Sequence, residues 1–217
     1  MKILRQNRNH FFLFLICIIL PNVVGLNACA GPAPTPTPTP TPTPIPTPTP
    51  TLTPTPPFEE EWSADGIIKV REYHGSNIYG DFEIHWRSDD QYAYMGIKAK
   101  TSGYISMAVQ PGSRMKAADM VFGFVKNGET AIYDLFSTGD FGPHPPDTEL
   151  GGTNDILKFA GSEQDGFITI EFKRKLVTGD KYDNPLSKGA NEIIWAYGST
   201  DDFSRKHTSG GYGEINL

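Results

Sequence analysis

Few residues in this chain could bind a metal, attack a bond or move a proton, and their settings sort them. The borderline and soft ligands on offer are five histidines and five methionines. His10 stands among the basic residues Lys2, Arg5 and Arg8 at the start of the chain. His85 falls on the polar side of an alternating run and reads as exposed. His74 sits beside Gly75 at a strand end. His144 lies in the rigid Pro143-His144-Pro145-Pro146 and reads as solvent-facing, and His207 lies in the Gly-rich run from Arg205 to Gly211. Met95, Met107 and Met120 belong to apolar runs and read as core. Met115 differs, because Pro111-Gly112-Ser113-Arg114-Met115-Lys116 is a polar loop. There an apolar, polarisable side chain is either a buried loop anchor or a soft thioether ligand. Both cysteines, Cys17 and Cys29, precede the part of the chain that can fold, which therefore has no disulfide and no thiolate nucleophile. There is no Gly-x-Ser-x-Gly elbow, His-Glu-x-x-His pair or phosphate-binding glycine loop. The paired carboxylates Asp89-Asp90 and Asp201-Asp202 sit in turn-like contexts, a poor setting for the two facing acids of a glycosidase. Asp119, Asp147 and Asp155 are a candidate calcium set, since loop carboxylates supply hard oxygen ligands.

The elements that must position these residues begin after a long non-globular leader. Lys2, Arg5 and Arg8 precede the purely apolar Phe11–Leu20, and Pro21-Asn22 break it, the pattern of an export signal. Its exit, Leu26-Asn27-Ala28-Cys29, resembles a bacterial lipobox. The expectation is a signal peptide over 1–28 and a lipid on Cys29. The same residues leave open an uncleaved anchor helix or plain secretion. All three readings put the folded part outside the cytoplasm, attached to the membrane in the first two. Residues 29–57 form a stalk in which Thr and Pro alternate, with breaks at Ile45 and Leu52. Proline fixes φ and removes amide donors, so the stalk is an extended, semi-rigid spacer rising ~3.1 Å per residue.

Residues 58–217 are enough for one domain with one core. The net charge of the chain is −6, and setting aside Lys2, Arg5 and Arg8 leaves −9 on the remainder. Such acidity argues against nucleic acid and anionic lipid as partners. β-forming runs alternate here with Gly, Asn and Asp breaks. Strands are expected over Ile67–Tyr73, Asp81–Arg87, Tyr92–Lys100, Gly103–Val109, Met120–Lys126, Thr130–Phe136, Ile156–Ala160, Phe167–Phe172, Ile193–Tyr197 and Tyr212–Leu217. Asn127-Gly128 and Asp165-Gly166 read as tight hairpin turns, because these residues accept positive φ. Nine to ten short strands with no sustained helical period predict an all-β, antiparallel β-sandwich.

Several of these runs, in order, carry a resemblance. Gly103-Tyr-Ile-Ser-Met-Ala-Val leads through the Met115 loop to Ala118-Asp119 and an apolar strand. Tyr133-Asp134-Leu135-Phe136-Ser137, Arg174-Lys175-Leu176-Val177-Thr178-Gly179-Asp180-Lys181-Tyr182-Asp183 and Ile194-Trp195-Ala196-Tyr197-Gly198 follow. Together they resemble the DOMON family across nearly all of the folded part. Tyr104 stands where the family commonly has Trp, and Ala108 where it commonly has Gly.

The resemblance implies a β-sandwich that binds haem or sugars. Haem-binding members, similar to the cytochrome domains of cellobiose dehydrogenase and the auxin-induced b-type cytochromes, use one Met and one His as axial ligands. Residue by residue, these become Met115 and His207. The implied cofactor is haem b held non-covalently, since there is no Cys-x-x-Cys-His for covalent attachment. The implied role is an electron carrier, not an enzyme, exchanging electrons with a separate redox protein. The competing expectation is a carbohydrate- or small-ligand-binding module, with exposed aromatics such as Trp62, Tyr79 or Tyr92 stacking on sugar rings.

Overall fold

The computed structural model describes Gly31 and residues 61–217. The expected signal peptide, Cys29 and the rest of the stalk lie outside the described residues. Ten strands and one short helix follow in order: β1 (Gly75–Tyr79), β2 (Phe82–Ser88), β3 (Tyr92–Ala99), β4 (Ile105–Val109), β5 (Asp119–Lys126), β6 (Glu129–Phe136), α1 (Asp147–Leu150), β7 (Lys158–Gln164), β8 (Phe167–Lys175), β9 (Ala190–Tyr197) and β10 (Ser209–Asn216). They make two five-stranded antiparallel sheets, ordered β1-β2-β3-β8-β7 and β10-β9-β4-β5-β6. The fold is the expected all-β sandwich. No helix among the described residues is long and apolar enough to cross a membrane.

Period-two alternation decides which side chains meet between the sheets. Phe82, Ile84 and Trp86 from β2, Met95 and Ile97 from β3, and Ile168, Ile170 and Phe172 from β8 face Ile105, Met107 and Val109 from β4 and Val121 and Val125 from β5. Each fully buried side chain of this kind stabilises the fold by ~1.5–3 kcal/mol relative to exposure. Asn127 and Gly128 both take positive φ, 53° and 81°, and Asp165 and Gly166 repeat this at 54° and 78°. These turns close β5–β6 and β7–β8 as two-residue hairpins. Asp119 at the start of β5 and Arg174 in β8 join the two sheets through a buried ion pair, Nη1 to Oδ2 at 2.6 Å.

The structure corrects the expected first strand. Ile67–Tyr73 is irregular, and the strand lies just after it, at Gly75–Tyr79. Arg71 has a positive φ of 69°, and the amides of this stretch bond to carboxylates instead of to a neighbouring strand. Asp65, Gly66 and Ile67 donate to Glu171 Oε2 at 2.9, 2.7 and 3.2 Å, and Lys69 donates to Glu72 Oε2 at 2.9 Å. Trp62 Nε1 donates to the Tyr73 hydroxyl, which donates to Glu171 Oε1 at 2.7 Å. Residues 61–74 thus lie over the outer face of the first sheet. That is why Trp62 is buried rather than exposed, and why His85, expected exposed, is half-covered beside Tyr73. Tyr79 is also spoken for, its ring stacked on Trp195 with centroids 5.6 Å apart. The expected strand at Ile156–Ala160 begins two residues later and runs to Gln164.

Candidate functional site

The second sheet carries a second apolar cluster on the face turned away from the sandwich core. Ile105, Met107 and Val109 point inward, so Ser106 and Ala108 between them point out. The pairing registers extend this face into two cross-strand rows, Gly210–Ala196–Ser106–Phe122–Tyr133 and Tyr212–Ile194–Ala108–Met120–Leu135. The β10–β9–β4 half of these rows is largely small (Gly210, Ala196, Ser106, Ala108), and the β5–β6 half is large and apolar. The small half makes a shallow floor and the large half a wall. A Cβ at Gly210 would come within 2.8 Å of the Trp195 carbonyl and 3.4 Å of the His207 ring, so glycine here keeps the floor low and the imidazole in place.

Three loops rise around this floor. The loop after β4 carries Met115 and is tied to the loop after β6 by Met115 N to Asp140 O and Ala117 N to Ser137 O at 2.8 Å. The loop after β6 brings Phe141 and the Pro143-His144-Pro145 run over the wall, fixed by Phe136 N to Pro145 O at 3.1 Å. The loop before β10 carries Phe203 and His207. The Tyr104 hydroxyl pins it through Arg205 O at 3.1 Å, and Thr208 N does so through Tyr197 O at 2.8 Å.

Between loops and floor lie two adjoining cavities of about 370 and 720 Å³. Both are lined by Met115 and His207, along with Ser106, Met120, Phe141 and Ala196. The two residues singled out by the sequence, 92 positions apart, therefore meet at one site. Both are half-buried. Burial lowers the His207 imidazole below the usual histidine range, and Lys206 adds to this, which favours the neutral ring that can bind a metal. Cys29, the expected lipidation site, lies outside the described residues.

His144 corrects the reading of a solvent-facing residue. It is half-buried, lines the larger cavity, and places Nδ1 3.1 Å from Ser137 Oγ. Its pKa is lowered by burial first and by the nearby His207 second. Sequence reasoning also passed over the small floor residues and Phe141. The available signal for the floor was the recurrence of Ser, Ala and Gly on alternate positions of β4, β9 and β10.

A soft thioether and a neutral imidazole beside a low apolar floor suit a flat, hydrophobic, metal-bearing ligand better than a hydrated ion or a polar sugar. The family profile described as DOMON domain matches residues 78–198, which includes Met115 and ends before His207. DBH-like monooxygenase protein 1 of Mus musculus is 29% identical over 122 residues, covering 56% of this chain and 19% of that protein. Protein Skeletor, isoforms B/C, of Drosophila melanogaster is 27% identical over 154 residues, covering 64% of this chain and 20% of that protein. The chain thus spans about a fifth of the length of these curated relatives. Among solved structures, the cytochrome b domain of Coprinopsis cinerea pyranose dehydrogenase aligns with 62% of this chain and 74% of its own, at 14% identity and a TM-score of 0.46. The cytochrome domain of Myriococcum thermophilum cellobiose dehydrogenase aligns with 63% and 74%, at 12% identity and a TM-score of 0.48.

Proposed function

The chain belongs to the DOMON family, and on that footing we propose that its sandwich holds a b-type haem non-covalently and carries electrons outside the cytoplasm. Met115 and His207 are the residues that would hold the haem iron in this reading. The observation that supports it is their convergence on one apolar cavity from loops 92 residues apart. The residues present fit such a group. Ser106, Ala108, Ala196 and Gly210 leave room over the floor, Met120, Ile194 and Phe141 supply apolar contact, and the thioether and neutral imidazole are the donors. Such a group would supply one-electron chemistry, and two protein ligands on its iron would leave no open position for oxygen.

The protein's own part is to bind, orient and exclude water. Tyr104 holds the loop that carries His207, and the amide ties between the loops after β4 and β6 hold Met115. A thioether stabilises the reduced metal, so Met115 raises the potential. The domain acts as an electron carrier and not as a catalyst. The monooxygenase in a relative's name belongs to a protein of which this chain matches 19%. Its redox partner is a separate protein, and the domain is tethered at the cell surface by a lipid on Cys29 and the Thr-Pro stalk. Carbohydrate binding is less well supported, because two of the three candidate stacking platforms are engaged: Trp62 is buried and Tyr79 lies against Trp195.

A visible spectrum of the purified, haem-supplemented chain tests the cofactor. Dithionite reduction is expected to give a sharp Soret band with separate α and β bands, lost in Met115→Ala and in His207→Ala. A chain that stays colourless under haem supplementation ends this reading and favours ligand binding. The tether has its own check. Palmitate labelling of expressing cells is expected to mark the chain and to vanish in Cys29→Ala, whereas unchanged membrane retention of that variant rules out the lipid anchor.

A further inference from the structure

Behind the cavity wall, four aspartates and one arginine share a nearly dry space. Asp119 starts β5, Asp134 lies in β6, Asp147 starts α1, Asp183 lies in the β8–β9 connection and Arg174 comes from β8. They are 0%, 3%, 1%, 9% and 2% exposed. Carboxylate oxygens of Asp119, Asp134 and Asp183 lie within 4.8 Å of one another. Arg174 answers only part of this charge, at 2.6 Å from Asp119 Oδ2 and 3.8 Å from Asp183 Oδ2. Neither oxygen of Asp147 accepts a hydrogen bond, and Oδ1 of Asp119 and of Asp134 do not either. Fully ionised, the group carries three uncompensated negative charges, and a buried carboxylate without a partner costs several kcal/mol by order of magnitude. Something positive has to share the space.

We propose that this cluster is a calcium site, in which one ion is held by Asp119, Asp134, Asp147 and Asp183 beside the Arg174 guanidinium. The donors are all hard oxygens, with no His or Cys among them, which favours calcium over zinc and the softer metals. Ligands at the Ca–O distance stand up to ~5 Å apart across the ion, which matches the span of Asp119, Asp134 and Asp183, and the unpartnered Asp147 carboxylate lies close enough to feel their charge. Magnesium needs tighter octahedral geometry and keeps several waters, which suits a dry all-protein cage poorly. Without the ion, protons are the alternative counter-charge. Burial first, and the neighbouring carboxylates after it, push Asp147 up to about 8 and Asp134 up to about 7. Asp155 joins only through its backbone, donating to Asp134 Oδ2 at 2.7 Å. The ion would also tie roof to wall of the neighbouring cavity, because Asp147 follows Pro146 on the cavity lining and Asp119 precedes Met120 on its wall. The site does not depend on haem.

The test is calcium content and melting of the purified chain at pH 7.5, after EDTA treatment and after equilibration with 1 mM calcium chloride and gel filtration. One calcium per chain and a melting point several degrees higher with calcium are expected. Asp147→Asn is expected to weaken calcium binding at least tenfold while melting higher than the wild type in EDTA, since it removes a buried carboxyl that without the ion must take up a proton on folding. Less than a tenth of an ion per wild-type chain at 1 mM calcium, with the same melting point as in EDTA, overturns the proposal. That result rests on the wild type alone and stands even where the variant fails to fold. An Asp147→Asn variant that keeps wild-type calcium affinity also overturns it.

Discussion

Met115 and His144 show what a single residue can and cannot announce about its place. By type, Met115 was either a loop anchor or a ligand, and the fold makes it line a cavity together with His207. His144 looked exposed because prolines flank it. Yet the bridge between Leu135 and Pro146 folds that run back over the second sheet and turns the imidazole toward Ser137. The floor beneath them offers a sharper residue-scale test than the two proposed ligands do. Ala196 is half-buried, faces the cavity and packs against no core side chain on that side. Ala196→Leu therefore adds bulk to open space and not to the jigsaw between the sheets, where overpacking costs ~1–3 kcal/mol. The variant is expected to melt within a few degrees of the wild type but to take up little or no haem in the same spectral assay. A full-strength Soret band in Ala196→Leu would mean that the ligand does not lie on this floor.

At the scale of elements, the turns and the strands that alternate cleanly were legible, and the segment that does not pair was not. Asn127-Gly128 and Asp165-Gly166 announce their hairpins because few residues accept two consecutive positive φ values, and both occur as expected. β2 was legible because it buries one face against the opposite sheet with a strict period of two, and β3, β5 and β8 because their runs of β-forming residues are bounded by turn residues, although both of their faces are largely buried. Ile67–Tyr73 has strand-like composition, but the amides that lead into it, of Asp65, Gly66 and Ile67, find a buried carboxylate about a hundred residues away. No local pattern can signal such a long-range partner, so β propensity there loses to tertiary hydrogen bonding. β1 was hidden for the converse reason. Gly75-Ser76-Asn77 has turn composition, yet it pairs in register with Ile84–Trp86 at the sheet edge. Gly75 is required there, because a Cβ would meet the Trp86 indole at 2.5 Å. The candidate site was legible only through the family resemblance. Its two proposed ligands, Met115 and His207, come from loops, and the small residues that open the cavity carry no chemistry of their own.

Across the whole molecule, the two outer faces of the sandwich are finished differently, and this separates stability from binding. The first sheet is roofed by residues 61–74, locked down by one side chain, Glu171, which is fully buried and accepts four hydrogen bonds. The second sheet is roofed only by loops, which leaves the cavity. Glu171 points away from that cavity, so its loss should act on the fold and not on the ligand. Glu171→Ala removes the acceptor of the buried Gly66 amide and Tyr73 hydroxyl and of the part-buried Asp65 and Ile67 amides, an expected cost of ~3 kcal/mol. For a domain of this size that is a fall of about 6–12 °C in melting temperature. Glu171→Gln should cost far less. Its amide oxygen can replace Oε2 for the three backbone donors, and its NH₂ can donate to a reoriented Tyr73 hydroxyl. Sites this far apart with no shared partner contribute independently. Haem affinity at 20 °C should therefore be the same in both variants as in the wild type, while limited proteolysis within 61–74 should be faster in Glu171→Ala. If Glu171→Ala instead lost haem while still folded, the two faces would be coupled through the core, and the cavity could not be treated as a site resting on the second sheet alone.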